Sequence, residues 1–449
     1  MGFFADKQTL DDLNVLGKFK TNSLYSLFNK VQTVGGERLL DSMFRYPLSD
    51  AEEINKRSEV FKYFEQKKFE FPFGKEKYSI VENYLTSEGG GNIVTSFART
   101  FRRKFLNYIG LDEEYKLVKE GLLFSIEFLN ALKDFLYKLQ DQDAENPYHK
   151  QIEELKKIYE GKWLQWLPDE RGVSKMPVLK MAKYEYLLKH ALQKEVKQIL
   201  EIVYDLDVCI AVSNVSRNKF FTYAQALPAE NNCIQIDGVY HPCLDKAVAN
   251  SISFDQSSNV IFLTGANMAG KSTFMKSFGT SIYLAHMGFP VAAKRMKFSV
   301  KDGIFSSINV SDNLEMGYSH FYAEVLRVKN VALEVAKSKN LVILFDELFK
   351  GTNVKDAFDA TLAVSEAFAE NRNCSFIIST HIIEVGETLR ERCDNLRFVY
   401  FPTIMKNKVP QYTYTLQEGI TTDRHGMMII ENEGILEIIL GKKLPLIKN

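Results

Sequence analysis

A glycine-containing loop between an apolar run and a helix-forming stretch constrains this chain more than any other feature. Residues 260–263 are apolar and are followed by TGANMAGKST, in which Gly265, Gly270, Lys271 and Ser272 fit the pattern G-x-x-x-x-G-K-[ST]. In such a loop the backbone N–H groups face an anion, and the next helix directs its positive N-terminal end at the same point. The stretch therefore predicts a strand, a phosphate-binding loop and a helix, in that order.

Two side chains of this loop bring the chemistry that a nucleotide needs. Lys271 supplies a positive charge for the β- and γ-phosphates, and the Ser272 hydroxyl is placed to hold Mg²⁺. All four defining positions occur between a strand-type and a helix-type sequence, so a chance match is the weaker explanation.

A second apolar run, residues 341–345, ends in the carboxylates Asp346 and Glu347. Ligands of open α/β sheets bind at the carboxyl ends of the strands. Asp346 is therefore predicted to reach the Mg²⁺ shell, and Glu347 to orient or deprotonate a water molecule. His381 follows another apolar run. It either contacts the γ-phosphate or caps the next helix, and the residues alone favour neither.

The composition limits the class of protein and its surroundings. With 449 residues the chain is expected to form two or three domains, and 57 basic against 57 acidic residues leave no global excess of charge for nucleic acid. The five cysteines form no C-x-x-C pair, which argues against disulfides and zinc. Without a long apolar run or a secretory signal, we expect a cytoplasmic protein with no membrane partner.

Two kinds of periodicity divide the chain. Helical patterns dominate the first half, with long ones over residues 113–140 and about 181–215. At 1.5 Å per residue the second would span roughly 50 Å. After residue 233, short apolar runs alternate with helix-type stretches, which predicts a mostly parallel sheet covered on both faces. We therefore predict a helical domain over residues 1–227 and an α/β domain over residues 228–449.

Basic and aromatic residues alternate in one N-terminal helix-type stretch. The residues concerned are Phe97, Arg99, Phe101, Arg102, Arg103, Lys104 and Phe105. Such a cluster can meet phosphates. The commoner alternative is a solvated helix face with its aromatic residues in the core, and on sequence alone we favour that alternative.

Five motifs occur in order between residues 233 and 426, namely TGANMAGKST, SDNLEMGYSHFYAE, LFDELFKGTN, STH and YTLQEGITTDRHG. Together they resemble the MutS family of DNA mismatch-repair ATPases, a branch of the ABC-type ATPases. More weakly, residues 10–57 look like the start of that family's helical core domain, and residues 186–228 look like its returning lever.

The resemblance implies a homodimer that holds ATP and Mg²⁺ between two P-loop ATPase domains. Ser272 and Asp346 would hold the metal, Glu347 would activate water, and His381 would sense the γ-phosphate. Nucleotide contacts would come from Gly265, Ala266, Asn267, Met268, Ala269, Gly270, Lys271, Ser272 and Thr273, together with Ser319 of the partner subunit.

The implied function is an ATP-hydrolysing, DNA-binding protein of repair or recombination that acts on branched, mismatched or unpaired DNA. An ATP-switched protein-interaction module that does not bind DNA is the alternative. No Phe-x-Glu wedge occurs before residue 120, so we expect a short form without the mismatch-reading domain. Ala266 and Ala269 replace the usual proline and glycine of the loop, which is tolerable if neither position needs a positive φ.

Overall fold

The computed structural model describes residues 2–17, 22–87, 92–109, 113–140, 146–308, 320–406, 409–421 and 435–440. Two compact units form. The α/β unit comprises Met1–Leu27, Tyr46–Ser58 and Lys219–Asn449, and the helical unit comprises Phe28–Arg45 and Glu59–Asn218. Two N-terminal segments thus lie in the α/β unit, and the domain boundary near Leu227 stays a prediction.

The described elements follow one another along the chain. The helices are α1 (Lys7–Asp12), α2 (Leu24–Phe28), α3 (Val34–Arg45), α4 (Ala51–Lys67), α5 (Lys75–Thr86), α6 (Ile93–Tyr108), α7 (Glu114–Gln140), α8 (His149–Glu160), α9 (Val178–Tyr186), α10 (Gln193–Lys219), α11 (Lys271–His286), α12 (His320–Val335), α13 (Val354–Ala369), α14 (Ile383–Arg392) and α15 (Ile435–Ile439). The strands are β1 (Phe4–Ala5), β2 (Thr222–Tyr223), β3 (Gln225–Leu227), β4 (Ile234–Val239), β5 (Asn250–Phe254), β6 (Val260–Gly265), β7 (Pro290–Val291), β8 (Arg295–Ser299), β9 (Gly303–Ser307), β10 (Leu341–Phe345), β11 (Ser375–Ser379), β12 (Leu396–Phe401), β13 (Thr403–Lys406), β14 (Val409–Tyr412) and β15 (Gln417–Glu418).

A seven-stranded sheet forms the centre of the α/β unit, in the order β1-β9-β10-β11-β6-β12-β15. Every neighbouring pair is parallel except β12 and β15. The strands β6, β9, β10 and β11 are buried along their whole length, which is why they read as continuous apolar runs rather than alternating ones. The predicted mostly parallel α/β fold is confirmed.

Successive residues of β10 face opposite sides of this sheet. Ile343 and Phe345 belong to a core cluster that includes residues of α12 and α13, such as Val331 and Phe368. Leu344 instead lies against α11, close to Gly279. Helices therefore cover both faces, and the carboxyl ends of β6, β10 and β11 reach one edge together.

The helical unit confirms one long helix and corrects the other. Helix α7 matches the pattern predicted over residues 113–140. The continuous helix predicted over about 181–215 was wrong, because Leu187–Ala191 forms a π-helical turn between α9 and α10. Within this turn Lys189 donates to Ser87 Oγ at 2.6 Å, and its ammonium lies 4.1 Å from the ring centre of Tyr84. A π-helix occurs mostly as a single turn of this kind within α-helical structure.

In the part of the chain that the structure describes, every helix is too short or too polar to span a membrane.

Candidate nucleotide-binding site

A cavity of about 430 Å³ lies beside the loop that follows β6 in the α/β unit. Asn267, Lys271, Ser272 and Thr273 line one part of it, and Glu347 reaches it from the end of β10. The fold thus brings together residues from the two apolar runs that the sequence singled out.

The glycines of the loop have backbone conformations that other residues rarely adopt. The φ angle is +139° at Gly265 and +105° at Gly270. A Cβ atom on Gly270 would lie 3.1 Å from Cδ1 of Tyr414. Ala266 and Ala269 do not have a positive φ, whereas Met268 does, at 66°. Neither alanine needs a positive φ, so both are compatible with the backbone of the loop.

Lys271, the first residue of α11, is buried and points back into the loop. Its Nζ donates to the carbonyl oxygens of Gly265, at 2.8 Å, and Ala266, at 3.2 Å. Burial lowers the pKa of Lys271, and the nearby carboxylates Glu347 and Asp346 partly oppose that shift. A buried ammonium held by neutral carbonyls favours the arrival of an anion, because a phosphate would compensate its desolvation.

Asp346 is held at the end of β10 by two hydroxyl groups. Ser272 Oγ donates to Oδ2 of Asp346, and Ser379 Oγ donates to Oδ1 at 2.6 Å. Ser379 Oγ also accepts from the backbone N–H of Glu347 at 3.0 Å. Sequence reasoning did not assign a role to Ser379, although its position as the last residue of a buried strand beside β10 was a usable signal.

Glu347 and His381, the two predicted catalytic residues, are in direct contact. His381 Nε2 lies 2.6 Å from Glu347 Oε1, and Lys350 Nζ lies 3.2 Å from Oε2. The hydrogen bond with His381 is the largest cause that lowers the pKa of Glu347 to about 2. The helix α14 begins after Ile382 without a side-chain cap, so the imidazole lies on the carboxylate rather than on the helix end.

An aromatic side chain that sequence reasoning missed closes another side of the cavity. Tyr414 lines it together with Leu244 and Val248. Asn250 fixes this part of the chain, since its Nδ2 donates to the carbonyl of Tyr414 at 2.9 Å and its Oδ1 accepts from the backbone N–H of Leu416 at 2.6 Å. An aromatic ring among aliphatic side chains suits a flat nucleobase.

The N-terminal segment of the α/β unit holds the end of β9. Asp12 Oδ2 accepts from Ser306 Oγ at 2.6 Å and from the backbone N–H of Ile308 at 3.0 Å. Arg327 of α12 pairs with Asp6 and donates through Nε to the Ser306 carbonyl at 3.1 Å. We refer to Asp6, Asp12, Ser306 and Arg327 as the β9 anchor. The separation of these residues in sequence explains why no local pattern revealed it.

Burial alone would raise the pKa of Asp6, but hydrogen bonds from Arg327 and Thr9 outweigh it and lower that pKa. The anchor lies next to the site, because the backbone N–H of Asp346 donates to the Ser307 carbonyl at 3.0 Å. Ser319 and its surrounding residues, 309–319, lie outside the described residues, and the role of Ser319 stays a prediction.

Known proteins share this region. The MutS domain V family matches residues 261–443. The DNA mismatch repair protein MutS of Fusobacterium nucleatum is 29% identical over 282 residues, which are 60% of this chain and 31% of that protein. The MutS of Bacillus licheniformis is 26% identical over 281 residues, 60% of this chain and 32% of that protein. For Streptococcus pyogenes serotype M5, MutS is 29% identical over 250 residues, 54% and 29% of the two chains.

The chain thus spans about a third of the length of the curated relatives that it matches. The family match covers the loop after β6, the carboxylates after β10 and His381 after β11. This match, the mostly parallel α/β fold and the MutS relatives together show that this region of the chain is similar to domain V of the MutS family.

Proposed function

We propose that this chain binds ATP with Mg²⁺ and hydrolyses it. The observation that carries the proposal is that groups following three strands meet in or beside one cavity. Lys271 after β6 and Glu347 after β10 line the cavity. Asp346 contacts Ser272 of the lining, and His381 after β11 contacts Glu347. Phosphate-binding, metal-binding and water-positioning groups are thereby close enough to act on one nucleotide.

The donor set around Asp346 fits Mg²⁺. Its carboxylate and the Ser272 hydroxyl are oxygen donors in direct contact, and Mg²⁺ prefers a few protein oxygens completed by phosphate and water. When bound, the metal would neutralise charge on the β- and γ-phosphates. Ser379 is a positioning residue, since its hydroxyl donates to the second carboxylate oxygen of Asp346.

Glu347 would act on the attacking water. Because its pKa is lowered to about 2, the side chain is an ionised acceptor at neutral pH. A carboxylate with so low a pKa is a weak base. It is therefore better suited to orienting the water molecule by a hydrogen bond than to removing a proton from it. His381 holds the carboxylate in place and carries the proposed γ-phosphate contact through the same imidazole.

Replacing Glu347 tests the enzyme. For Glu347→Gln we expect unchanged ATP binding and a turnover lower by roughly 10²- to 10⁴-fold, the usual range for losing such a group. Binding is measured by anisotropy of a fluorescent ATP analogue, and turnover by phosphate release with and without Mg²⁺. Glu387→Gln, on the exposed side of α14, is the matched control. A Glu347→Gln protein with the original turnover would refute the assigned role.

The ATP site is proposed to be composite, with Ser319 of the partner subunit completing it in a homodimer. The dimer is proposed to act in DNA repair or recombination, on branched, mismatched or unpaired DNA. The relatives are DNA mismatch repair proteins, which supports this part of the proposal. A nucleotide that favours one arrangement of a shared site must in turn shift DNA binding, because coupled equilibria are reciprocal.

A panel of duplex, junction, bubble and single-stranded DNA tests this part. We expect binding that weakens with salt and changes with nucleotide state. Failure to bind any of the four DNA forms at low salt, with ATP or without it, would refute the DNA part and leave the ATP-switched protein-interaction alternative.

A further inference from the structure

Helix α6 of the helical unit exposes the aromatic side chains that the sequence reading assigned to a core. The exposed fractions are 48% for Phe101, 64% for Phe105 and 88% for Tyr108. The preferred alternative, a solvated helix face with buried rings, was therefore wrong for Phe101 and Phe105, whereas Phe97 is half-buried. Tyr108 was not part of that prediction. Large exposed rings grouped on one surface indicate a binding site more often than scattered ones do.

The three rings lie on one face of α6, because their spacing of four and three residues returns to the same side of a helix. Val94, about two helical turns before Phe101, is also exposed. We call this surface, with the neighbouring Arg102 and Lys104, the α6 face. Phe101 and Phe105 are about 6 Å apart along the helix axis, a spacing that bases of an extended strand can follow.

The opposite side of α6 fixes the rotation of the helix. Arg103 is largely buried and pairs with Glu185 at 2.9 Å and with Glu114 at 2.6 Å. The hydroxyl of Thr100, which is fully buried, donates to Glu185 at 3.1 Å. Turning the rings inward would expose this network and bury other charges, which is costly. The exposure of the rings is thus built into the packing.

The charge of α6 favours a polyanion. Its sequence, IVTSFARTFRRKFLNY, contains four basic residues and no acidic one, although the whole chain has a net charge of zero. Two carboxylates already compensate Arg103. Arg102 and Lys104 are exposed beside the rings, where they can approach phosphates.

We propose that the α6 face binds single-stranded DNA, with bases stacked on Phe101, Phe105 and Tyr108 and phosphates near Arg102 and Lys104. This deepens the DNA-binding part of the proposed function and does not depend on the ATP site. Stacking tolerates any base, because every base has a flat π face. A lipid surface also accepts aromatic and basic side chains, so binding to vesicles is measured separately below.

The test uses the full chain and a fluorescein-labelled oligomer of about 20 deoxythymidines, longer than the usual site for one stacking platform. Binding is measured by anisotropy without nucleotide, in about 50 mM salt. The triple variant Phe101→Ala/Phe105→Ala/Tyr108→Ala is expected to bind at least tenfold more weakly. Tyr137→Ala, which removes another exposed aromatic side chain of the helical unit, is expected to bind like the original chain.

Two further measurements separate stacking from charge. For Arg102→Ala/Lys104→Ala we expect the slope of log affinity against log salt to become shallower by about 1.4, the value for two lost phosphate contacts on a single strand. An abasic oligomer of the same length is expected to bind the original chain more weakly than deoxythymidine does. Equal binding of the two oligomers would overturn base stacking.

Other results would also overturn the proposal. The first two are absence of binding to the deoxythymidine oligomer and unchanged binding of that oligomer by the triple variant. The third is a triple variant that no longer binds phosphatidylserine vesicles but still binds DNA. The fourth is a change in sedimentation of the triple variant, which would mark the α6 face as a contact between copies of the chain. Circular dichroism checks that the variant is folded. Failure of the proposed ATPase would appear in a separate measurement, as unchanged phosphate release by the Glu347→Gln protein. Glu347 lies outside α6, so the two proposals can fail independently.

Discussion

Glu347 has a positive φ of 56°, which is rare for a residue with a side chain. Two cations or cation-forming groups, His381 and Lys350, contact its carboxylate from different sides. Strained backbone of this kind persists only where the surrounding contacts hold it, and it is common at functional sites. The identity of residue 347 is a local property, whereas its pKa depends mainly on His381, which comes from another segment, and to a smaller extent on the nearby Lys350.

His286 shows the same dependence on its neighbours, with a consequence for pH. The ring is fully buried, donates through Nδ1 to the Leu48 carbonyl at 2.9 Å and accepts at Nε2 from the backbone N–H of Lys301 at 3.3 Å. Phe3 stacks on it with ring centres 3.9 Å apart. Burial lowers the pKa of His286 from 6.5 to about 3, so the folded chain keeps this imidazole neutral.

Acid is therefore expected to destabilise the α/β unit through His286. Below pH 6.5 the unfolded chain binds a proton that the folded chain does not bind until about pH 3, so the free energy of unfolding falls over this window. At about pH 5 the loss is about 2 kcal/mol relative to pH 7. His286→Asn should be less stable at pH 7 but show a smaller loss between the two pH values.

Urea denaturation at both pH values measures this difference. His149→Asn, which changes an exposed histidine, serves as the control and should keep the pH dependence of the original chain. An identical pH dependence for His286→Asn and the original chain would contradict the assignment.

At the scale of elements, α1 and β9 form a pair that no local pattern connects. Three residues spaced three positions apart make the contacts, namely Asp6 just before α1 and Thr9 and Asp12 within it. Thr9 and Asp12 contact Ser306 at the end of β9, and Asp6 contacts Arg327. The strand end so held is the one whose Ser307 carbonyl accepts from the N–H of Asp346. A small segment at the edge of the sheet thereby supports the end of the neighbouring strand, where Asp346 lies.

Replacing Asp12 tests this support. Asp12→Asn removes the charge that assists the hydrogen bonds from Ser306 and Ile308, so we expect a loss of about 1 to 3 kcal/mol in the free energy of unfolding. We also expect lower ATP turnover with little change in ATP affinity, since Lys271 and its loop are not touched. Differential scanning calorimetry and phosphate release are the measurements.

Asp11→Asn is a closely matched control, because Asp11 is exposed in the same helix. If the Asp11 and Asp12 variants unfold and turn over alike, the β9 anchor contributes nothing to the site.

At the scale of the whole molecule, the proposed composite site predicts complementation between inactive chains. Lys271→Ala should abolish ATP binding, because it removes the buried cation of the loop, and Ser319→Ala should remove the contribution of the partner subunit. In a mixed dimer, one site combines an intact Lys271 with an intact Ser319 of the partner subunit. Mixing the two proteins equally should therefore restore about a quarter of the original turnover, as random pairing of a symmetric dimer requires.

The control mixture combines Lys271→Ala with Glu347→Gln. Both substitutions affect the same half of a site, so every pairing leaves both sites defective and no turnover should return. Phosphate release after mixing measures both cases. Recovery in the control, or none in the test mixture, would refute a site shared in this way.

Much of the fold and the core of the site follow from local sequence. The loop over residues 265–273, the carboxylates after residues 341–345 and the α7 pattern were predicted from spacing and periodicity. Local spacing is informative here because strand, glycine loop and helix are covalently consecutive, so neighbours in sequence are neighbours in the site. The π turn after α9 could not be predicted, because the same apolar spacing suits a continuous helix.

The sequence by itself determined the glycine loop between β6 and α11, the acidic strand end and the mostly parallel α/β class. Only the tertiary structure decided that Ser379 holds Asp346, that Tyr414 closes the cavity, that α1 anchors β9, and that the rings of α6 face outward. The physical reason is the range of the contacts. Periodicity specifies which residues are apolar within one element, whereas strand order and helix rotation depend on pairings between segments that are far apart in the chain.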